Sequence, residues 1–214
     1  MNHLQVKVCG IKDSESLSKI LSFNPDFIGF IFVSKSPRYV VGELEPSQII
    51  SAGTKTKTVG VFMDHTISEV VSTINLYKLH FVQLHGQESS EYIKLLKKEV
   101  PGITVIKTLP INRSSFQISP DSYGSEVDLF LLDTASQMGG GAGISFDWRV
   151  LPDLDIKQPF LLAGGIGPGD AAPLRMLVGR VKNLLGVDIN SRFEISPGSK
   201  DSNKVQQFIG DIRR

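Results

Sequence analysis

Eight short apolar runs, spread along the whole chain and separated by longer polar segments, set the strongest limit on how it can fold. They cover residues 5–9, 27–33, 58–63, 81–84, 105–108, 129–133, 160–163 and 184–189. Most are continuous rather than alternating in polarity, which marks strands covered on both faces, as in a parallel sheet. Parallel neighbours need long crossovers, and the segments between the runs have helical periodicity. Eight such units with right-handed crossovers close most simply into one (β/α)8 barrel. An open doubly wound sheet is the alternative, but no Gly-x-Gly-x-x-Gly turn follows the first run. With 214 residues and no linker or low-complexity tract, one α/β domain over residues 1–214 is expected.

Helix starts are written between the runs. Asp13 can cap a helix that turns Leu17, Ile20 and Leu21 to one side. Pro46, just after Glu45, suits a first helical position. Thr66 and Glu69 form a capping box ahead of Val70, Val71 and Ile74. Ser89 or Ser90 opens a segment bearing Ile93, Leu96 and Val100. Asp201 caps a last helix whose Val205, Phe208, Ile209 and Ile212 follow an i, i+3, i+4, i+7 pattern. Two segments are weaker: residues 110–127 are polar and serine-rich, and Pro173 delays or distorts the helix after the seventh run.

Composition narrows the function classes. A net charge of +1 offers no electrostatic footprint for nucleic acid, so an anionic ligand must be held by local geometry. One cysteine excludes an intrachain disulfide framework and a multi-cysteine zinc site. The N-terminus lacks the apolar run of a signal peptide, and no stretch approaches a membrane-spanning helix. These features point to a soluble, cytoplasmic protein.

In a parallel barrel the working groups come from the C-terminal ends of the strands and the loops that follow. Reading only those places selects Cys9, the segment Ser34–Tyr39 with Arg38, Gln83 and His85, Asp133 before a glycine-rich loop at 139–143, Gly164 and Gly165, and Asp188, Asn190 and Ser191. Each has an ordinary explanation too. A lone cysteine usually packs as a small hydrophobe, Asp-Thr at a strand end is common turn chemistry, glycine pairs make turns, and an arginine forms surface ion pairs. Lys7 shares the face of Cys9 and could either assist its ionisation or pair internally with Asp133 or Asp188.

The runs VKVCGI, GFIFVSKSPRYV, VQLHG, LLDT followed by GGGAGISFDW, LAGGI, GVDINS and SPGSKD resemble the phosphoribosylanthranilate isomerase family in content, order and spacing, from Lys7 to the last helix. LAGGI is common to many phosphate-binding barrels; VCGI, KSPRYV and VQLHG together are specific. The resemblance implies an Amadori rearrangement in tryptophan biosynthesis: a phosphoribosyl ring on anthranilate is opened and a proton is moved to give a ketose. It implies no redox cofactor and no metal, and a monomer as the simplest state, with a dimer also compatible. By the same resemblance Cys9 is the base and Asp133 the acid, and Arg38 binds the anthranilate carboxylate. Gly164, Gly165, Asp188, Asn190 and Ser191 occupy the phosphate-side positions, with help from a helix dipole near residues 167–170, and Gln83 and His85 line the pocket. A thiolate base requires the site to favour ionisation, and the acid must hold its proton near neutrality.

Three departures from the family pattern stand out: Ala142 and Ile144 in the glycine-rich loop, Arg192 where a glycine is usual, and Pro173. Two rival functions share the barrel. One is the related sugar isomerisation of histidine biosynthesis, which resembles a two-aspartate design and so is disfavoured by Cys9. The other is a non-catalytic phosphate-ligand-binding barrel, in which Cys9 or Asp133 would be expected to be lost.

Overall fold

The computed structural model describes residues 3–112, 115–116, 119–133 and 148–214. Four strand–helix units open the chain: β1 (Gln5–Cys9) with α1 (Ser14–Ser22), β2 (Phe27–Ile31) with α2 (Pro46–Ala52), β3 (Lys57–Phe62) with α3 (Ile67–Tyr77), and β4 (Phe81–Leu84) with α4 (Ser90–Glu99). After them come β5 (Thr104–Asn112) and the short β6 (Ser115–Phe116), then β7 (Leu129–Asp133) and β8 (Phe160–Ala163). The chain ends with α5 (Ala171–Arg175), β9 (Leu184–Ile189), the hairpin β10 (Glu194–Ser196) and β11 (Ser199–Lys200), and α6 (Ser202–Ile212). Eight strands pair in parallel in the order β4-β3-β2-β1-β9-β8-β7-β5, and β4 pairs with β5, so the sheet closes into a barrel. The expected (β/α)8 barrel is the architecture found.

Strand alternation separates two cores. Phe27, Val59, Ile106, Leu129, Leu131, Leu161 and Ala163 fill the barrel interior. Their strand neighbours, among them Val6, Val8, Ile28, Phe30 and Leu162, pack outward under the helices. Covering both faces makes the runs continuous in the sequence. The caps form as the residue types require: Asp13, Thr66, Ser89 and Asp201 each accept a backbone N–H from the first turn. Gln48 reaches back to the Glu45 N–H, so α2 begins at Pro46 as expected. The face of α6 made by Val205, Phe208, Ile209 and Ile212 is buried, and the helix packs between α1 and α5.

The helical ring is less regular than the sequence pattern suggests. After β5 the chain forms an antiparallel pair with β6 and then a 3₁₀ turn at Pro120–Tyr123, since the polar 110–127 segment has no apolar stripe to dock. Among the described residues, a 3₁₀ segment, Trp148–Asp153, containing Pro152, stands ahead of β8. After β8 a 3₁₀ turn (Pro168–Asp170) leads into the five-residue α5, with Pro173 in its first turn, where a missing N–H costs nothing. The β10–β11 hairpin was not foreseen. Among the described residues no helix is long and apolar enough to cross a membrane.

Candidate active site

A pocket of about 210 Å³ opens at the C-terminal ends of the barrel strands. Nine of the ten expected site residues line it: Cys9 and Asp133 from strand ends, Gln83 and His85, Gly164 and Gly165, and Asp188, Asn190 and Ser191. Their convergence follows from the pleat, because a residue at the C-terminal end of an inward-facing row must face the barrel mouth. Thr134 and the loop at 139–143, with Ala142 and nearby Ile144, lie outside the described residues.

Cys9 is buried at the end of β1. It pairs across the sheet with Gly29, and a Cβ at position 29 would lie 2.8 Å from the Cys9 sulfur. Gly29 thus keeps room for the thiol, a role its place inside an apolar run did not signal. Lys7, fully buried two residues before Cys9, forms an ion pair with Asp188 at 2.8 Å. Burial alone would lower the Lys7 pKa, but Asp188 and Cys9 carry it above the ordinary lysine value, so the ammonium persists. Burial raises the Cys9 thiol, and the lowering by Lys7 offsets this only in part. Burial of the anion thus opposes the thiolate while the neighbouring Lys7 ammonium favours it.

Asp188 uses Oδ2 for Lys7, while its Oδ1 is buried with no hydrogen-bond partner among the described residues. Burial raises its carboxyl pKa, and Lys7 pulls it back. An acceptor of this kind suits a hydroxyl better than a phosphate. Gln83 Oε1 is likewise buried and unpartnered, while its Nε2 donates to Thr108 Oγ1 at 3.3 Å and lies 3.3 Å from His85 Nδ1. With Gln83 in that orientation, Nδ1 accepts and the His85 ring proton falls on Nε2, which faces Asp133 Oδ2 at 3.8 Å. Burial pushes the His85 pKa down, against the pull of Asp133, so the ring is neutral at pH 7.

The phosphate side differs from the expectation of a helix dipole at residues 167–170. Asp170 Oδ2 already accepts the Gly167 N–H at 2.6 Å, and α5 is too short to build much of a dipole. Arg192 brings positive charge instead, donating from Nη1 to the Gly165 carbonyl at 2.7 Å.

Arg38 is the expected site residue that does not line the pocket. Its Nε and Nη2 donate to Glu194 Oε1 and Oε2 at 2.8 and 2.6 Å, a bidentate pair with an internal carboxylate. Glu194 also accepts from Lys200 Nζ at 2.8 Å and from the Gly198 N–H at 3.0 Å, and Lys200 donates to Asn190 Oδ1 at 2.8 Å. Lys200 falls in the SPGSKD run, but Glu194 and Thr108 carried no sequence signal, since their partners are distant in the chain.

The fold and site define a (β/α)8 barrel whose mouth gathers a buried thiol, two carboxylates and glycine-lined backbone into one pocket. The family profile described as N-(5'phosphoribosyl)anthranilate (PRA) isomerase matches residues 6–211. A curated relative of that name from Parabacteroides distasonis is 38% identical over 208 residues, covering 97% of this chain and 92% of its own. The chain therefore belongs to the N-(5'-phosphoribosyl)anthranilate isomerase family. Among solved structures, the phosphoribosyl anthranilate isomerase of Thermotoga maritima is 29% identical with a TM-score of 0.76, covering 98% of each chain. A phosphoribosyl anthranilate isomerase in complex with reduced 1-(o-carboxyphenylamino)-1-deoxyribulose 5-phosphate is 26% identical with a TM-score of 0.73, again over 98% of each chain.

Proposed function

We propose that this chain converts N-(5'-phosphoribosyl)anthranilate to 1-(2-carboxyphenylamino)-1-deoxyribulose 5-phosphate in tryptophan biosynthesis, with Asp133 as acid and Cys9 as base. The observation that carries this reading is that both side chains line one pocket at the barrel mouth, in a chain of this family. Asp133 donates a proton to the furanose ring oxygen, the C1′–O bond breaks, and the anilino nitrogen lone pair forms the iminium. The Cys9 thiolate then removes the C2′ proton, and the C–H electron pair forms the C1′=C2′ bond as the iminium is neutralised. The resulting enolamine takes at C1′ the proton held by Cys9 and passes its C2′ hydroxyl proton to the Asp133 carboxylate, giving the ketose. The thiol and the carboxylate return to their starting protonation states.

Cys9 must be ionised before ring opening, and both Lys7 and the cation formed on the substrate favour the thiolate against the effect of burial. The buried Asp188 Oδ1 and Gln83 Oε1 are acceptors for sugar hydroxyls. The backbone at Gly164, Gly165 and Ser191 takes the phosphate, and Arg38 the anthranilate carboxylate. Purified protein with freshly made phosphoribosylanthranilate should deplete the substrate fluorescence in proportion to enzyme added; no depletion above the spontaneous rate would refute the assignment.

A further inference from the structure

We propose that Glu194 is a positioning residue: it clasps one edge of the Arg38 guanidinium so that the opposite edge is presented to the substrate carboxylate. The proposal rests on the carboxylate role of Arg38 given above. A guanidinium has five N–H donors and two edges that can bind a carboxylate in bidentate fashion. Here the edge formed by Nε and Nη2 is fully used by the two oxygens of Glu194. The end edge is different: the side-chain hydrogen bonds of Arg38 among the described residues come from Nε and Nη2, and the side chain is 20% exposed. One arginine can thus hold two carboxylates at once, an internal one sideways and a ligand's end-on.

The clasp is itself fixed from below. Glu194 is 5% exposed and is held by Lys200, whose side chain is fully buried, and by the Gly198 N–H of the β10–β11 turn. The pairing of Glu194 with Lys200 across the hairpin sets this geometry. Arg38 reaches Glu194 by passing over Gly10, where a Cβ would lie 2.8 Å from Arg38 Cδ and 2.9 Å from Asn190 Oδ1. Two cations around one carboxylate leave the cluster with a net positive charge, so Glu194 orients Arg38 without cancelling the field that attracts an anion.

A clasp and a competitor make opposite predictions. If Glu194 merely occupied Arg38 until substrate displaced it, removing its charge would tighten binding of a carboxylate ligand. As a positioning residue, its loss must weaken such binding, because Arg38 then spreads over several rotamers.

The test measures inhibition constants of two stable analogues: the reduced product with its ring carboxylate, and the same molecule lacking that carboxylate. Glu194→Gln should weaken the carboxylate analogue about tenfold and raise KM similarly, with kcat and the carboxyl-free analogue changed less than about twofold. Glu194→Asp, which keeps the charge but withdraws it by one methylene, should show the same selective loss and serves if Glu194→Gln does not fold. Unchanged or tighter binding of the carboxylate analogue would overturn the proposal. Arg38→Met separates the two readings: if it too leaves that analogue unaffected, the carboxylate role of Arg38 fails along with the clasp. If Arg38→Met alone weakens the analogue, only the clasp fails.

Discussion

Lys7 Nζ and Asp188 Oδ2 lie 2.8 Å apart at the floor of the pocket, on neighbouring parallel strands whose register sets the two residues side by side. Of the two roles open to Lys7, internal pair or partner of Cys9, the structure gives it both. Asp188 anchors the ammonium, and the anchored ammonium opposes the effect of burial on the thiol.

That arrangement predicts a pH effect with a definite sign. The base works as a thiolate, so kcat/KM must rise as pH climbs through the Cys9 pKa. Burial places that rise above the range of a free cysteine, and Lys7 draws it down. In Lys7→Met the rising limb of the pH profile should move to higher pH. The variant should also be less stable by about 3–5 kcal/mol, because Asp188 is left buried and unpaired. A limb that stays in place would remove Lys7 from the tuning of Cys9. Cys9→Ala should nearly abolish turnover at every pH while analogue binding changes little.

Asp133→Asn keeps the shape of the side chain and cannot supply a proton. Its kcat should fall by about 10²-fold or more, with analogue binding changed little. A kcat within a few-fold of wild type would assign the acid elsewhere.

Gly29→Ala tests the space around the thiol. The added methyl would lie 2.8 Å from the Cys9 sulfur, so either the sulfur or the β2 backbone must shift. Overpacking of this kind costs about 1–3 kcal/mol, and a displaced sulfur should lower kcat more than it raises KM. Wild-type kcat in a folded Gly29→Ala protein would mean that the sulfur position is not critical.

Arg192→Gly probes the phosphate side. With Asp170 closing the Gly167 N–H and only a five-residue helix behind it, Arg192 is the cation nearest the Gly165 backbone shown by the hydrogen bonds there. Restoring the glycine usual in the family should raise KM severalfold with little change in kcat, since a phosphate grip binds ground state and transition state alike. Identical KM values in a side-by-side titration would leave Arg192 as a loop brace for the Gly165 carbonyl.

The sequence by itself determined the barrel and most of the pocket. Continuous apolar runs can only be strands covered on both faces, and alternation then carries Cys9, Gln83, Asp133 and Asp188 to the same mouth. Helix starts were legible at Asp13, Thr66 and Asp201 because capping is a local interaction within three residues. What tertiary structure decided depends on contacts between distant segments. Whether Lys7 paired with Asp133 or Asp188 was settled by the β1–β9 register, which no run of residues encodes alone. Arg38 and Glu194 are 156 positions apart, so only closure of the barrel and folding of the β10–β11 hairpin bring that carboxylate to that guanidinium. The state of Cys9 was decided the same way: its pKa depends on how completely water is excluded, and burial is a property of the packed whole.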